Sequence, residues 1–127
     1  MNIDLHGKTA LVTASTGGIG FAIAQGLAES GAAVVLNGRS EASVSRAREQ
    51  LNARVVGAKI PTFIADLGSA QGVKQLLQGL PPIDILVNNA GIYGPQDFYA
   101  TDDDTWEAYW QTNSMMWVRR SRALLAA

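Results

Sequence analysis

A chain of 127 residues has the size of one domain, and an apolar fraction of 47% is enough to bury a core, which excludes intrinsic disorder. Ten basic and eleven acidic residues leave a net charge of −1, so no overall field would hold nucleic acid or an anionic membrane. The absence of cysteine excludes disulfides, thiolate metal ligands and a cysteine nucleophile.

Short apolar runs alternate along the chain with segments of helical period. The predicted strands are residues 8–14, 33–37, 61–65 and 84–87. The predicted helices are residues 19–30, a helix capped by Ser40 that carries Val44, Ala47 and Leu51, a helix capped by Ser69 that carries Val73, Leu76 and Leu77, and residues 102–125. A loop of small and polar residues is predicted at 88–101.

The predicted strands are apolar nearly throughout, which is typical of strands that are covered on both faces. Strands that alternate with helices predict an α/β fold of the Rossmann type, a doubly wound parallel sheet. Right-handed crossovers give the strand order 3-2-1-4. A ligand is then expected beyond the carboxyl ends of the strands, at the switch between strands 1 and 4.

The segment TASTGGIG, residues 13–20, joins the first predicted strand to the first helix. Its small residues allow a sharp turn, and unpaired amides at the start of the helix suit a pyrophosphate group. Ser15 and Thr16 add hydroxyl donors to this turn. Because the spacing is not G-x-G-x-x-G, a tight turn without a ligand is the alternative.

This turn resembles the T-G-x-x-x-G-x-G turn of the short-chain dehydrogenase/reductase family. Thr13, Gly18 and Gly20 match that pattern, and Ala14 stands in place of the first glycine. The resemblance implies that the turn binds a nicotinamide dinucleotide. Its cofactor-binding residues would be Ser15, Thr16, Gly18, Ile19 and Gly20.

The segment NNAG, residues 88–91, directly follows the fourth predicted strand and is the most specific short signal in the chain. Amide side chains both donate and accept, so they can tie neighbouring strand ends together. In the family that the chain resembles, this stretch lies beneath the cofactor, near the nicotinamide ribose. The residues implied there are Asn89, Ala90 and Gly91.

The segment NGRS, residues 37–40, lies where the adenosine ribose is met in dinucleotide folds. Gly38 stands where an NAD-preferring member of the family would carry aspartate, and Arg39 follows it. A guanidinium suits a 2′-phosphate, so Arg39 and Ser40 predict NADP(H) in preference to NAD(H). A solvated arginine at a strand end is the alternative.

Asp66 ends the third predicted strand in the sequence ADL. The resemblance implies that its carboxylate reaches the adenine amino group, with the backbone of Leu67 nearby. Spacing alone leaves a second interpretation open, an acid placed favourably at the start of a helix.

Asn113 lies on the last predicted helix, seven residues after Trp106. The resemblance implies a catalytic role in which Asn113 holds a water of a proton relay with a serine, a tyrosine and a lysine. A satisfied buried amide on the aromatic side of the helix, with Tyr109, Trp110 and Trp117, is the alternative. Ser114 is expected on plain helix surface, and Arg119–Arg122 (RRSR) are expected to face solvent near the helix end.

The family's proton donor is a tyrosine followed four positions later by a lysine, whose charge lowers the pKa of the phenol. Lysine occurs only at positions 8, 59 and 74, and no tyrosine stands four residues before any of them. We therefore expect the 127 residues alone to be inactive. Residues 1–127 are interpreted as an NAD(P)-binding Rossmann domain that is incomplete at its C-terminus, with the later strands absent.

These observations predict an NADP(H)-dependent oxidoreductase that transfers hydride between nicotinamide and a carbonyl or alcohol substrate. A non-enzymatic nucleotide-binding or interaction module and a Rossmann-type sugar epimerase or dehydratase are the alternatives. No metal, nucleic acid or membrane partner is expected, and the family implies a homo-oligomer built on the last helix. No signal-peptide pattern or bilayer-length apolar run is present in the sequence, so we expect a cytoplasmic protein.

Overall fold

The computed structural model of the chain describes residues 3–66, 69–89 and 97–125. Within these residues, four strands alternate with helices. The strands are β1 (Thr9–Val12), β2 (Ala33–Gly38), β3 (Thr62–Ile64) and β4 (Ile85–Val87). The helices are α1 (Gly18–Glu29), α2 (Glu41–Arg54), α3 (Ala70–Gly79), α4 (Asp103–Tyr109) and α5 (Met116–Leu125), and a π-helical segment, Trp110–Met115, joins the last two.

The strands form one parallel sheet in the order β3-β2-β1-β4, which confirms the predicted topology. In the register, Ala10 of β1 lies opposite Val34 of β2 and Ile85 of β4. β2 pairs on its other side with β3, where Leu36 lies opposite Thr62. Because every strand runs in the same direction, the segments that follow the four strands meet at one edge of the sheet.

The core lies on both faces of the two central strands. On one face, Val12, Val34 and Leu36 pack with residues of α1 and α2. On the other, Leu11 and Val35 pack with Leu76 of α3. All five strand residues are fully buried, which explains why β1 and β2 are apolar nearly throughout instead of alternating.

Three of the helices begin at a polar cap. The Ser40 hydroxyl accepts from the backbone N–H of Ser43 at 3.2 Å, and the Ser69 hydroxyl accepts from that of Gly72 at 3.0 Å. Both caps were predicted from the sequence. The Asp102 carboxylate accepts from the N–H of Thr105 at 2.8 Å and so begins α4.

The last predicted helix, residues 102–125, is not one regular α-helix. The π segment Trp110–Met115 interrupts it, and each turn of i→i+5 bonding contains an extra residue that shifts the side chains that follow. Aromatic spacing at three and four residues does not distinguish such a segment from an α-helix. Among the described residues, no helix combines the length and apolar character needed to cross a bilayer.

The expectation that Arg119–Arg122 face solvent is wrong for one member. Arg122 is exposed, but the side chain of Arg120 is fully buried. Its Nε donates to Asn88 Oδ1 at 3.0 Å, at the end of β4. This hydrogen bond, from an acceptor far along the chain, offsets part of the cost of burying a charged group.

Candidate functional site

The carboxyl edge of the sheet brings together four segments that were singled out in the sequence. The small-residue turn follows β1, Arg39 follows β2, Asp66 follows β3 and the two asparagines of NNAG follow β4. This edge is where open parallel sheets bind ligands. The sheet order places the turn between the Arg39 segment and the asparagines.

Ala14, the first residue of the turn after Thr13, adopts a left-handed conformation with φ of +51°. That region costs an L-residue roughly 1–2 kcal/mol, whereas glycine enters it without a steric penalty. Ala14 is also the position at which the chain departs from the glycine of the family pattern. The residue that stands in place of the pattern's first glycine therefore has a conformation that is strained for alanine.

Two amide side chains hold the ends of the Ala14 residue. Its N–H donates to Asn37 Oδ1 at 3.0 Å, and its carbonyl oxygen accepts from Asn89 Nδ2 at 3.1 Å. Asn89 also donates its backbone N–H to the Thr13 hydroxyl at 2.9 Å. The prediction that NNAG ties strand ends together thus describes what Asn89 does between β4 and the end of β1.

Unlike α2, α3 and α4, helix α1 begins without a side-chain cap. Its N-cap is Gly17, which is extended and forms no side-chain cap, and no acidic residue lies in the first turn. A Cβ atom added to Gly17 or Gly18 would meet nothing within 4 Å. The side-chain directions of these two glycines are therefore open, and no side chain caps the first amides of the helix, which is the condition for an anion to bind them.

Gly20 has the opposite role, since it is buried against the strand ends. A Cβ atom there would lie 2.5 Å from the Ala14 carbonyl oxygen and 2.5 Å from Asn89 Nδ2. Only glycine lets α1 pack this close to Ala14 and Asn89. The family pattern is explained by the left-handed φ of +57° at Gly18 and by close contact at Gly20.

Ser15 was expected to present a hydroxyl donor to the ligand. In the structure Ser15 is fully buried, and its Oγ accepts from the backbone N–H of Asn37 at 2.9 Å. The hydroxyl consequently shapes the turn from inside. Thr16 is half-buried and Ile19 is exposed at the start of α1.

Arg39 is exposed at the end of β2, next to the capping residue Ser40. Gly38 before it is buried, and a Cβ atom there would lie 2.6 Å from Thr16 Cγ2 and 2.8 Å from Val44 Cγ2. The lack of an acidic side chain at position 38 is therefore also a packing requirement. The guanidinium of Arg39 is a permanent positive charge at this corner of the edge.

Asp66 is exposed at the end of the segment that follows β3. Its carbonyl oxygen accepts from the N–H and the hydroxyl of Ser69, at 3.1 and 2.9 Å. A Cβ atom on Gly72 would come within 1.9 Å of that oxygen, so glycine is required for α3 to start here. Leu67, the predicted neighbour of Asp66 in the site, lies outside the described residues.

Within the described residues, the hydrogen bonds of the Asn88 side chain go to α5 and not to the turn that follows β1. Its Oδ1 accepts from Arg120, and its Nδ2 donates to the Ser121 hydroxyl at 3.1 Å. Burial lowers the pKa of the Arg120 guanidinium because desolvation disfavours the charged form. Ala90 and Gly91, the other predicted residues of NNAG, lie outside the described part of the chain.

Asn113 lies inside the π segment and is half-buried, as is Ser114. Such segments often occur at functional sites because they break the regular bonding of a helix. The catalytic role of Asn113 stays a prediction, as do the cofactor contacts of the other named residues.

Asn37 is the residue of this edge that sequence reasoning missed. It was noted only as the start of NGRS, although it is a buried polar residue at the end of an apolar strand. That signal is available in the sequence, because a buried amide needs hydrogen-bond partners. Which partners it finds depends on strands that are distant along the chain.

Comparison with known proteins identifies the family of this chain and several relatives. A family model described as short chain dehydrogenase matches residues 8–127. The uncharacterized oxidoreductase YvaG of Bacillus subtilis (strain 168) is 45% identical over 125 residues, 98% of this chain and 47% of that protein. Galactitol 2-dehydrogenase (L-tagatose-forming) of Cereibacter sphaeroides is 36% identical over 126 residues, 96% of this chain and 49% of that protein.

A solved structure has the same fold over nearly all of the chain. L-sorbose reductase from Gluconobacter frateurii, complexed with NADPH and L-sorbose, matches with a TM-score of 0.90 at 32% identity. The match covers 99% of this chain and 49% of that one. The chain thus spans about half the length of the relatives and structures that it matches.

Proposed function

The chain belongs to the short-chain dehydrogenase family, and on that premise we propose that it forms the dinucleotide-binding part of an NADP(H)-dependent oxidoreductase. The substrate class is a carbonyl compound or the corresponding alcohol. The nicotinamide, when bound, supplies the hydride chemistry, and the protein supplies position and electrostatics.

One observation carries this proposal: the uncapped start of α1 and the exposed guanidinium of Arg39 lie at the same edge of the sheet. Helix amides with a positive dipole end suit a pyrophosphate, and a guanidinium suits a further phosphate on the ribose. The relative L-sorbose reductase was solved with NADPH, which supports the same cofactor here.

The residues of this edge would divide the dinucleotide among them. Backbone amides of Gly18, Ile19 and Gly20 would hold the pyrophosphate, with Thr16 beside them, and Ser15 would shape the turn from within. Arg39 and Ser40 would meet the 2′-phosphate. Asp66 and Leu67 would meet the adenine, and Asn89, Ala90 and Gly91 would lie under the nicotinamide ribose.

Asn113 would orient a water molecule for proton transfer, as the family resemblance implies. The proton donor itself requires a tyrosine with a lysine four positions later, a pair that these 127 residues do not contain. The polypeptide is therefore expected to bind the cofactor without turnover. We further expect it to act as part of a cytoplasmic homo-oligomer.

Cofactor preference is tested by binding, measured from NADPH and NADH fluorescence, on Arg39→Gln. Gly38 is left unchanged because a side chain there would collide with Thr16 and Val44. We expect NADPH affinity to fall by about 10-fold or more and NADH affinity to stay within about twofold, since one charge-assisted phosphate contact is lost.

Arg48→Gln is the matched control, because Arg48 is an equally exposed arginine within α2. It should leave both affinities as in the wild type. An unchanged NADPH-to-NADH ratio in Arg39→Gln would rule out the preference for NADP(H). A folded wild type that binds neither dinucleotide would rule out the proposed function as a whole.

A further inference from the structure

Asn37, near the carboxyl end of β2, is a buried amide with every end of its side chain engaged; the residue is 3% exposed. Its Oδ1 accepts from the N–H of Ala14 at 3.0 Å. Its Nδ2 donates to the carbonyl oxygens of Phe63 at 3.1 Å and Ala65 at 3.3 Å. Its backbone N–H and carbonyl oxygen both bond Ser15, each at 2.9 Å.

These bonds connect three consecutive strand ends of the sheet. Ala14 and Ser15 follow β1, Asn37 belongs to β2, and Ala65 follows β3 directly before Asp66. An apolar side chain of the same size would fill the space but would leave the Ala14 N–H without this acceptor inside the protein. Packing alone therefore does not explain an asparagine at this position.

Asn37 bonds Ala14, which is the residue with the strained backbone conformation. Ala14 has φ of +51°, and it is bonded by Asn37 at its N–H and by Asn89 at its carbonyl oxygen. Residues persist in such conformations only where their surroundings determine them more than once. The two asparagines, one in β2 and one just after β4, meet that condition.

We propose that Asn37 is a positioning residue for the dinucleotide. It holds Ala14 in the left-handed conformation that directs the turn toward the start of α1, and through Ala65 it sets where Asp66 lies relative to that turn. This inference rests on the proposed function, and it goes beyond it by assigning the shape of the phosphate-binding turn to a buried residue that bonds the backbone of that turn.

The hydrogen bond from the Ala14 N–H to Asn37 is tested first without any ligand, by amide hydrogen exchange of Ala14. Ala14 is exposed and lies outside the ladder, so its N–H is expected to exchange slowly only because Asn37 accepts from it. Asn37→Ser should speed that exchange by about tenfold or more, whereas Asn52→Ser, on the exposed side of α2, should not change it. Fast exchange of the Ala14 amide in the wild type contradicts the proposal that Asn37 holds Ala14, whether or not the variant folds.

Binding of NADPH then tests the positioning role in a sample shown by circular dichroism to be folded. Asn37→Ser should weaken NADPH binding by about tenfold, the equivalent of one well-made hydrogen bond. Adding Ala14→Gly should restore part of the affinity, because glycine takes the left-handed conformation without being held there. All variants are compared as fully folded samples, so the stability gained from Ala14→Gly does not account for the rescue, and an undiminished loss in the double variant overturns the proposal.

The two proposals fail in different ways. A wild type with a protected Ala14 amide that binds neither NADPH nor NADH contradicts the proposed function and leaves the Asn37–Ala14 bond standing. If the wild type binds NADPH and the Asn37→Ser variant binds it equally well, only the positioning role is contradicted.

Discussion

At the scale of single residues, two positions at the carboxyl edge of the sheet have a backbone conformation or an environment that does not suit a Cβ atom. Ala14 occupies a left-handed region that favours glycine, and Gly20 occupies a place where any Cβ atom would meet the Ala14 carbonyl oxygen. Strain at the first and contact at the second both bring the helix start close to the strand end. Such strain is typical of sites that are formed before a ligand arrives.

The strain at Ala14 predicts that Ala14→Gly stabilises the fold. Removing the Cβ atom relieves roughly 1–2 kcal/mol of left-handed strain, and the greater freedom of glycine in the unfolded chain offsets part of it. We expect a net gain of about 0.5–1 kcal/mol in the free energy of unfolding, measured by urea denaturation.

The same exchange at Ala53 is the control, because Ala53 is an exposed residue of α2 in ordinary helical conformation. There glycine should destabilise, by at most about 1 kcal/mol, because Ala53 lies in the last turn of the helix. Two variants with changes of the same sign would show that the conformation of Ala14 is not strained.

At the scale of the elements, the start of α4 depends on the ionised carboxylate of Asp102. The hydroxyl and the amide of Thr105 lower the pKa of Asp102 below the ordinary aspartate value of 3.8, because both bond the charged form. Since the folded-state pKa is the lower one, this stabilisation is fully present above about pH 4 and is lost as pH falls through the folded-state pKa.

We therefore expect acid to fray the first turn of α4. The amide resonance of Thr105 should titrate with a midpoint below the ordinary aspartate value. Asp102→Asn is the control, because asparagine caps a helix equally well without titrating. A Thr105 midpoint at or above the ordinary aspartate value, or an identical titration in Asp102→Asn, would contradict the assignment.

At the scale of the whole molecule, the described surface has a set of large apolar side chains on its last helical elements. Trp106, Trp110 and Trp117 are 51%, 55% and 42% exposed. Trp106 also packs edge-on against Phe98, which is itself exposed. Exposed apolar side chains that are concentrated in one part of a protein surface are typical of association surfaces.

This exposure predicts that the 13.5 kDa chain self-associates at micromolar concentration, which sedimentation velocity measures directly. The double substitution Trp110→Glu and Trp117→Glu should shift the chain to the monomer, because charge at a buried contact is costly. Val56→Glu, at a position 91% exposed between α2 and β3, should leave the association unchanged. A wild type that stays monomeric throughout the concentration range would contradict this prediction.

The amino-acid sequence by itself determined the order of the elements, the parallel sheet and the caps at Ser40 and Ser69. Hydrophobic period, cap chemistry and the hand of crossovers are properties of short segments or of all such folds, so no distant contact is needed to infer them. The glycine pattern of the turn and NNAG likewise indicated the family. These features account for the fold and for which edge of it holds the candidate site.

Only the tertiary structure decided what particular side chains do at that edge. Four features each depend on a partner from another part of the chain. They are the left-handed conformation of Ala14, the buried hydroxyl of Ser15, the hydrogen bonds of Asn37 and the buried guanidinium of Arg120. The energy of a buried polar group is set by the partner it finds, and that partner is chosen by strand register and helix packing instead of by its neighbours in sequence.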